Sequence, residues 1–125
     1  MEPAKSLRVA VIGSRNIQKA DLSRYLPAET AMLISGGAVG VDTLAEEYAA
    51  QRGLPIRIFR PNYALYGRKA PLVRNRQIVD CADLVIALWD GSSTGTVYTV
   101  NYAQERGVPV RLYIPAQTEK ETAEQ

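Results

Sequence analysis

Five short apolar runs, most of them continuous rather than alternating, constrain this chain more than any other feature. They are Leu7 to Ile12, Ala31 to Ile34, Ile56 to Phe59, Leu84 to Trp89 and Val108 to Ile114. A strand wetted on one face alternates apolar and polar residues, whereas an unbroken run reads as a strand covered on both faces. Between the runs, Val41, Leu44, Ala45, Tyr48 and Ala49 recur at helical spacing, and Gly53 with Pro55 closes that helix. Val97, Val100 and Ala103 form a second such stripe, closed by Gly107 and Pro109. Gln18 to Leu26 reads as a shorter, weaker helix ended by Pro27, and Arg74-Asn75-Arg76 falls on a helix ahead of the fourth run. Strands alternating with helices predict an α/β domain, a doubly wound, mainly parallel five-stranded sheet with helices on both faces. Right-handed crossovers in that order set the first and fourth strands side by side at a switch point. Ligands of such sheets bind there, outside the carboxyl ends of the strands.

Three loops rich in small residues fall at that end. Gly13-Ser14-Arg15 follows the first strand, Ser35-Gly36-Gly37-Ala38-Val39-Gly40-Val41-Asp42 the second, and Asp90-Gly91-Ser92-Ser93-Thr94-Gly95-Thr96 the fourth. The last offers backbone N–H groups, four hydroxyls and a helix N-terminus, the ingredients of a phosphate site. It lacks the lysine of a P-loop, which argues against triphosphate hydrolysis by that route. The same residues also read as a tight turn with Thr94 or Thr96 capping the helix. In the second loop, Gly36, Gly37 and Gly40 permit close backbone approach, more glycine than an ordinary turn requires. Asp42 there suits the first helical turn; it can equally accept ribose hydroxyls or hold a magnesium ion. Arg15 sits where a guanidinium can reach a phosphate, or stays on an exposed loop.

On the helix before the fourth strand, Leu72, Ile78, Val79 and Ala82 cover one arc at about 100° per residue. Asn75 falls near the centre of that arc and must find hydrogen bonds there; Arg74 and Arg76 flank it. Arg76 is four residues from Asp80, the spacing of a surface ion pair, which leaves Arg74 as the better ligand contact. Tyr63, Tyr66, Trp89 and Tyr98 are packing residues or stacking surfaces for a base, with Trp89 the first candidate for a pocket wall.

Composition removes several classes of chemistry. The 125 residues contain no histidine, which excludes histidine triads and histidine metal sites. The single cysteine, Cys81, cannot form an internal disulfide and is expected as a buried core thiol. A net charge of +2 is too small to argue for nucleic acid, although Arg68, Lys69, Arg74 and Arg76 make a local basic cluster. No apolar run approaches the roughly 20 residues that span a bilayer, so a cytoplasmic protein without membrane contact is expected. The length fits one domain, taken as residues 1–116, followed by a polar tail at 117–125 expected to be flexible.

Taken together, these motifs resemble those of the SLOG superfamily of Rossmann-like proteins. The resemblance runs over about residues 7–114, through the three loops, Tyr66-Gly67-Arg68-Lys69, Arg74-Asn75-Arg76 and Trp89. It is nearest to the small stand-alone type related to YspA and YpsA. Lonely Guy phosphoribohydrolases, more distant relatives, carry an arginine matching Arg74 and a Gly-Gly-x-Gly-Thr loop that Gly91 to Thr96 matches in part. Their catalytic glutamate follows that Gly-Thr, where this chain has Val97, Tyr98 and Thr99 and no carboxylate. Glu105 lies too far along the helix to substitute. The DNA-processing protein A family, a binder of single-stranded DNA, shares the Arg-Asn-Arg signature and the glycine-rich second loop.

The resemblance and the residues together imply binding of a nucleotide or nucleotide-derived phosphate, by a sensor or carrier rather than an enzyme. The expected site is Gly13, Ser14, Arg15, Ser35, Gly36, Gly37, Gly40, Asp42, Arg74, Asn75 and Asp90 through Thr96. No tightly bound metal is expected, magnesium entering only with a phosphate ligand. The enzymatic alternative is an N-glycosidic nucleotide hydrolase using Asp42 or Asp90, and the third is single-stranded DNA binding through Arg68 to Arg76. Relatives of this kind often assemble, so a homo-oligomer is expected.

Overall fold

A computed structural model of the protein describes residues 4–115. Residues 117–125, read above as a tail, lie outside the described residues. Five strands form one sheet: β1 (Leu7–Gly13), β2 (Thr30–Ser35), β3 (Ile56–Ile58), β4 (Leu84–Leu88) and β5 (Val110–Tyr113). Their order is β3-β2-β1-β4-β5, and every neighbouring pair is parallel. The first and fourth strands are therefore adjacent, with Val9 opposite Leu84 and Gly13 opposite Leu88. That register brings both carboxyl ends level at the switch point.

The continuous apolar runs are explained by two cores, one on each face. Along β1, Val9 and Val11 enter one core while Ala10 and Ile12 enter the other. Along β4, Leu84, Ile86 and Leu88 join the first and Val85 and Ala87 the second. The first core is closed by Ile17, Leu22 and helix α1 (Val41–Arg52) through Val41, Ala45 and Ala49. The second is closed by helix α3 (Ala70–Cys81) through Ile78 and Val79, and by helix α4 (Thr94–Glu105) through Ala103. A four-residue helix, α2 (Tyr63–Tyr66), and a 3-10 turn at Gly67–Lys69 lead into α3. This is a Rossmann-like arrangement with helices on both faces.

Two sequence expectations change. The segment Gln18 to Leu26 is no helix; only a 3-10 turn forms, at Leu22–Arg24. Asp21 caps the start of that turn: its carboxylate takes the Ser23 N–H at 3.1 Å and the Ser23 hydroxyl at 2.6 Å, so the helical segment begins only at Leu22. Such local side-chain bonds compete with helix formation, and buried Leu22 anchors the turn instead. Cys81 is only partly buried: it packs at the edge of the second core with Arg57 Nη1 4.0 Å from its sulfur. Among the described residues, no helix is long and apolar enough to cross a membrane.

Candidate anion-binding site at the switch point

The backbone at the end of β1 is pressed between its neighbours. A Cβ on Gly13 would lie 2.7 Å from Val41 Cγ2 and would collide with the Leu88 carbonyl. Only glycine lets β1, β4 and the start of α1 converge so closely. Ser14, 2% exposed, then fastens the first loop to the fourth. Its N–H donates to the Leu88 carbonyl at 3.0 Å, and its Oγ accepts from the Asp90 N–H at 3.0 Å and donates to the Ser93 hydroxyl oxygen, 2.9 Å away.

Asp90 organises the loop after β4. Its Oδ1 accepts from the N–H groups of Ser92 at 2.9 Å and Ser93 at 2.8 Å, and from the Ser93 hydroxyl at 2.9 Å. These donors, the two backbone N–H groups first, hold its carboxyl far below the usual carboxylate range. A carboxylate so occupied stays ionised and is a poor proton donor. The Trp89 indole N–H donates to the Ser93 carbonyl at 3.0 Å and fixes the loop's far end. With the Ser93 hydroxyl engaged there, α4 begins without a side-chain cap, and the first-turn N–H groups of Thr94, Gly95 and Thr96 are left for another acceptor.

From the other side comes Arg74, in the buried face of α3 and only 6% exposed. Its Nε donates to Asn75 Oδ1 at 2.7 Å, and its Nη1 donates to the Gly36 carbonyl. Asp42, 9% exposed, sits in the first turn of α1 and takes the Ala38 N–H at 3.0 Å. Burial pushes the Asp42 carboxyl up, while the Ala38 N–H and the Arg74 charge oppose that rise. Burial likewise lowers Arg74; Asp42 counters this, and the nearby Arg15 charge adds to it. Two guanidinium groups thus approach one another with a single buried carboxylate between α1 and α3.

These groups surround a cavity of about 510 Å³ at the carboxyl ends of β1 and β4. The sequence profile of the YspA, cpYpsA-related SLOG family matches residues 7–66. A second likeness is to the Gene 61 protein of Mycobacterium phage D29, 33% identical over 85 residues, which cover 63% of this chain and 68% of the phage protein. The chain belongs to this SLOG family. No solved structure matches it. The match spans the loops after β1 and β2; Arg74 and the loop after β4 are supplied by the rest of this SLOG domain.

The expected site residues divide into two layers. Gly13, Ser14, Arg15, Asp42, Arg74 and Asn75 line the cavity, as do Asp90 and Ser93 through Thr96. Ser35, Gly36, Gly37, Gly40, Gly91 and Ser92 are not in the lining. Gly36 faces the Arg74 guanidinium, where a Cβ would come within 2.6 Å of Nη1. Arg60 donates to the Gly37 carbonyl at 3.4 Å, Gly40 lies under the Arg15 backbone, and Gly91 and Ser92 shape the turn around Asp90. Ser35 Oγ is buried with no hydrogen-bond partner.

Further lining comes from Asn16, Ala38, Pro71, Leu72 and Thr99, which are not among the expected site residues. Asn16 adjoins the first loop, Ala38 lies within the second, and Pro71 and Leu72 begin the helix of Arg74, so adjacency is the signal that finds them. Three other readings are corrected. Arg74 rather than Asn75 lies in the buried face of α3, and Leu72 is 37% exposed. Arg76 does not pair with Asp80. It donates to the Tyr98 hydroxyl at 2.7 Å, while Asp80 is met by Arg106 at 3.5 Å and by the Tyr102 hydroxyl at 2.9 Å. Trp89 is no wall of the cavity but a brace for its loop.

Proposed function

We propose that the cavity binds the phosphate of a nucleotide or nucleotide-derived compound, as a sensor or carrier site. The observation that carries this reading is the convergence of Arg15, buried Arg74 and the uncapped N-terminus of α4 on one cavity. Like charges brought together at the cost of desolvating one of them favour an anion between them. The α4 N–H groups add partial positive charge at the same place. Two readouts test it: thermal shift, and calorimetric titration with inorganic phosphate, ribose 5-phosphate and nucleoside monophosphates. Binding is expected, weakening with added salt, and Arg15→Ala is expected to weaken it about tenfold, the worth of one charge-assisted hydrogen bond. Absence of binding by all of them at millimolar concentration would remove the proposal.

A second reading is N-glycosidic hydrolysis, and Asp42 is what favours it. Burial helps its carboxyl keep a proton to higher pH, as a general acid requires, and it faces the cavity. Asp90 is unsuited because its turn keeps it ionised. Release of free base from nucleoside monophosphates, lost in Asp42→Asn, is the expected signature. No turnover over prolonged incubation sinks it. The basic cluster gives less support to DNA binding, since Arg74 is turned inward, away from exposed Arg68, Lys69 and Arg76.

A further inference from the structure

Binding an anion leaves Asp42 without a purpose, because a carboxylate facing the same cavity repels phosphate. Yet this carboxylate is nine-tenths buried and held in place by the Ala38 N–H on Oδ2. Ser35 and the Gly36 N–H stand near enough to favour its charged form, but neither meets hydrogen-bonding geometry. Among the described residues the hydrogen bond to this carboxylate falls on Oδ2, which leaves Oδ1 open to a ligand on a side chain that lines the cavity. Ser35 Oγ, buried close by, has no partner. A buried oxygen without a partner calls for a donor from elsewhere. Placement matters as well. Asp42 follows β2 and the anion cradle follows β4, with β1 between them. The start of α1 packs on Gly13 at the end of β1, and Asp42 and the first turn of α4 line one cavity of about 510 Å³, large enough for a phosphorylated sugar ring.

We infer that Asp42 reads the ring hydroxyls of the ligand, so that the site takes a ribosyl phosphate or another hydroxyl-bearing sugar phosphate. This rests on the anion reading above. A ring O–H donates to Asp42 Oδ1 while the phosphate lies against Arg15 and the N-terminus of α4. The Arg74 charge opposes the rise that burial imposes on this carboxyl and so favours its charged, strongly accepting form. A ring without hydroxyls would strip water from Oδ1 and return nothing. A deoxynucleotide inside a DNA strand has neither a 2′-hydroxyl nor a free 3′-hydroxyl, so the same residue selects against it.

The test compares three probes by titration: inorganic phosphate, ribose 5-phosphate, and tetrahydrofurfuryl phosphate, which keeps the ring and phosphate but has no hydroxyls. Ribose 5-phosphate is expected to bind about 10- to 100-fold more tightly than its hydroxyl-free analogue. Asp42→Asn is expected to bring that ratio close to one and, by removing a charge that repels phosphate, to bind inorganic phosphate at least as tightly as the wild type. The carboxyl ¹³C resonance of Asp42 in the wild-type protein should move with ribose 5-phosphate and not with the analogue, a readout that does not depend on the variant folding. Equal binding of the two ring compounds, or an unmoved Asp42 resonance, overturns the inference while phosphate binding stands. If inorganic phosphate also fails to bind, the anion reading falls and takes this inference with it.

Discussion

Arg74→Ala is expected to destabilise the protein by about 3 kcal/mol and to abolish phosphate binding. Three groups lose their partner at once: the Gly36 carbonyl, Asn75 Oδ1 and the Asp42 carboxylate. Removing one member of a buried charge pair costs about 3–5 kcal/mol. The lower end applies because the guanidinium opens on the cavity at one side. The pH dependence separates this cause from simple loss of packing. Burial already raises the Asp42 carboxyl above its ordinary value of about 3.9, and Arg74 is one of the forces opposing that rise. Without Arg74 the folded-state value climbs further. A carboxyl raised in the folded state contributes most below its unfolded value, and that contribution is lost as pH rises through the folded one. The deficit of Arg74→Ala should therefore be smallest near pH 4 and grow toward neutrality. Urea unfolding of wild type and variant across that range measures it. A deficit that does not change with pH would show that Arg74 and Asp42 are not energetically coupled.

The buried position of Arg74 also marks where sequence reading meets its limit. Five strands are legible because a continuous apolar run of four to seven residues, bounded by turn residues, suits a strand covered on both faces. Their order with the helices places the β1–β4 switch point. The loops at that point are legible through their glycines and hydroxyls. The rotation of α3 is not. Counting apolar positions puts Asn75 on the inner face, whereas the inward residue is a charged one that scores as polar in any such pattern. An arginine can be buried only if partners wait for it, and beyond the neighbouring Asn75 these are a backbone carbonyl after β2 and the charge of a carboxylate in α1, both distant in sequence. The same limit explains Arg76. Its neighbour Asp80 is visible four residues away, but Tyr98 on α4 is not, and the tertiary partner prevails. Local spacing lists the partners available within a helix and cannot rank them against those on the next one.

Gly40→Ala carries the second large effect, although residue 40 does not line the cavity. Gly40 has φ +78° and ψ −127°, a conformation essentially restricted to glycine. A Cβ there would also stand 2.7 Å from Arg15 Cα and closer still to the Arg15 carbonyl. Strain of about 1–3 kcal/mol and overpacking of similar size combine, so a loss of about 2–6 kcal/mol is expected. Gly53→Ala is the matched control: it too has positive φ, at +67°, but nothing lies within 4 Å of the added carbon, and about 1 kcal/mol is expected. Denaturant unfolding of both variants gives the comparison. The larger consequence is functional. Relief of the Gly40 clash requires the Arg15 backbone to move away from α1, which carries its guanidinium off the anion. Folded Gly40→Ala should thus lose phosphate affinity about as far as Arg15→Ala does, whereas Gly53→Ala keeps it. If Gly40→Ala costs no more stability than Gly53→Ala and binds phosphate normally, the first two loops are not in register with one another, and Arg15 is placed by something other than the close approach of Gly40.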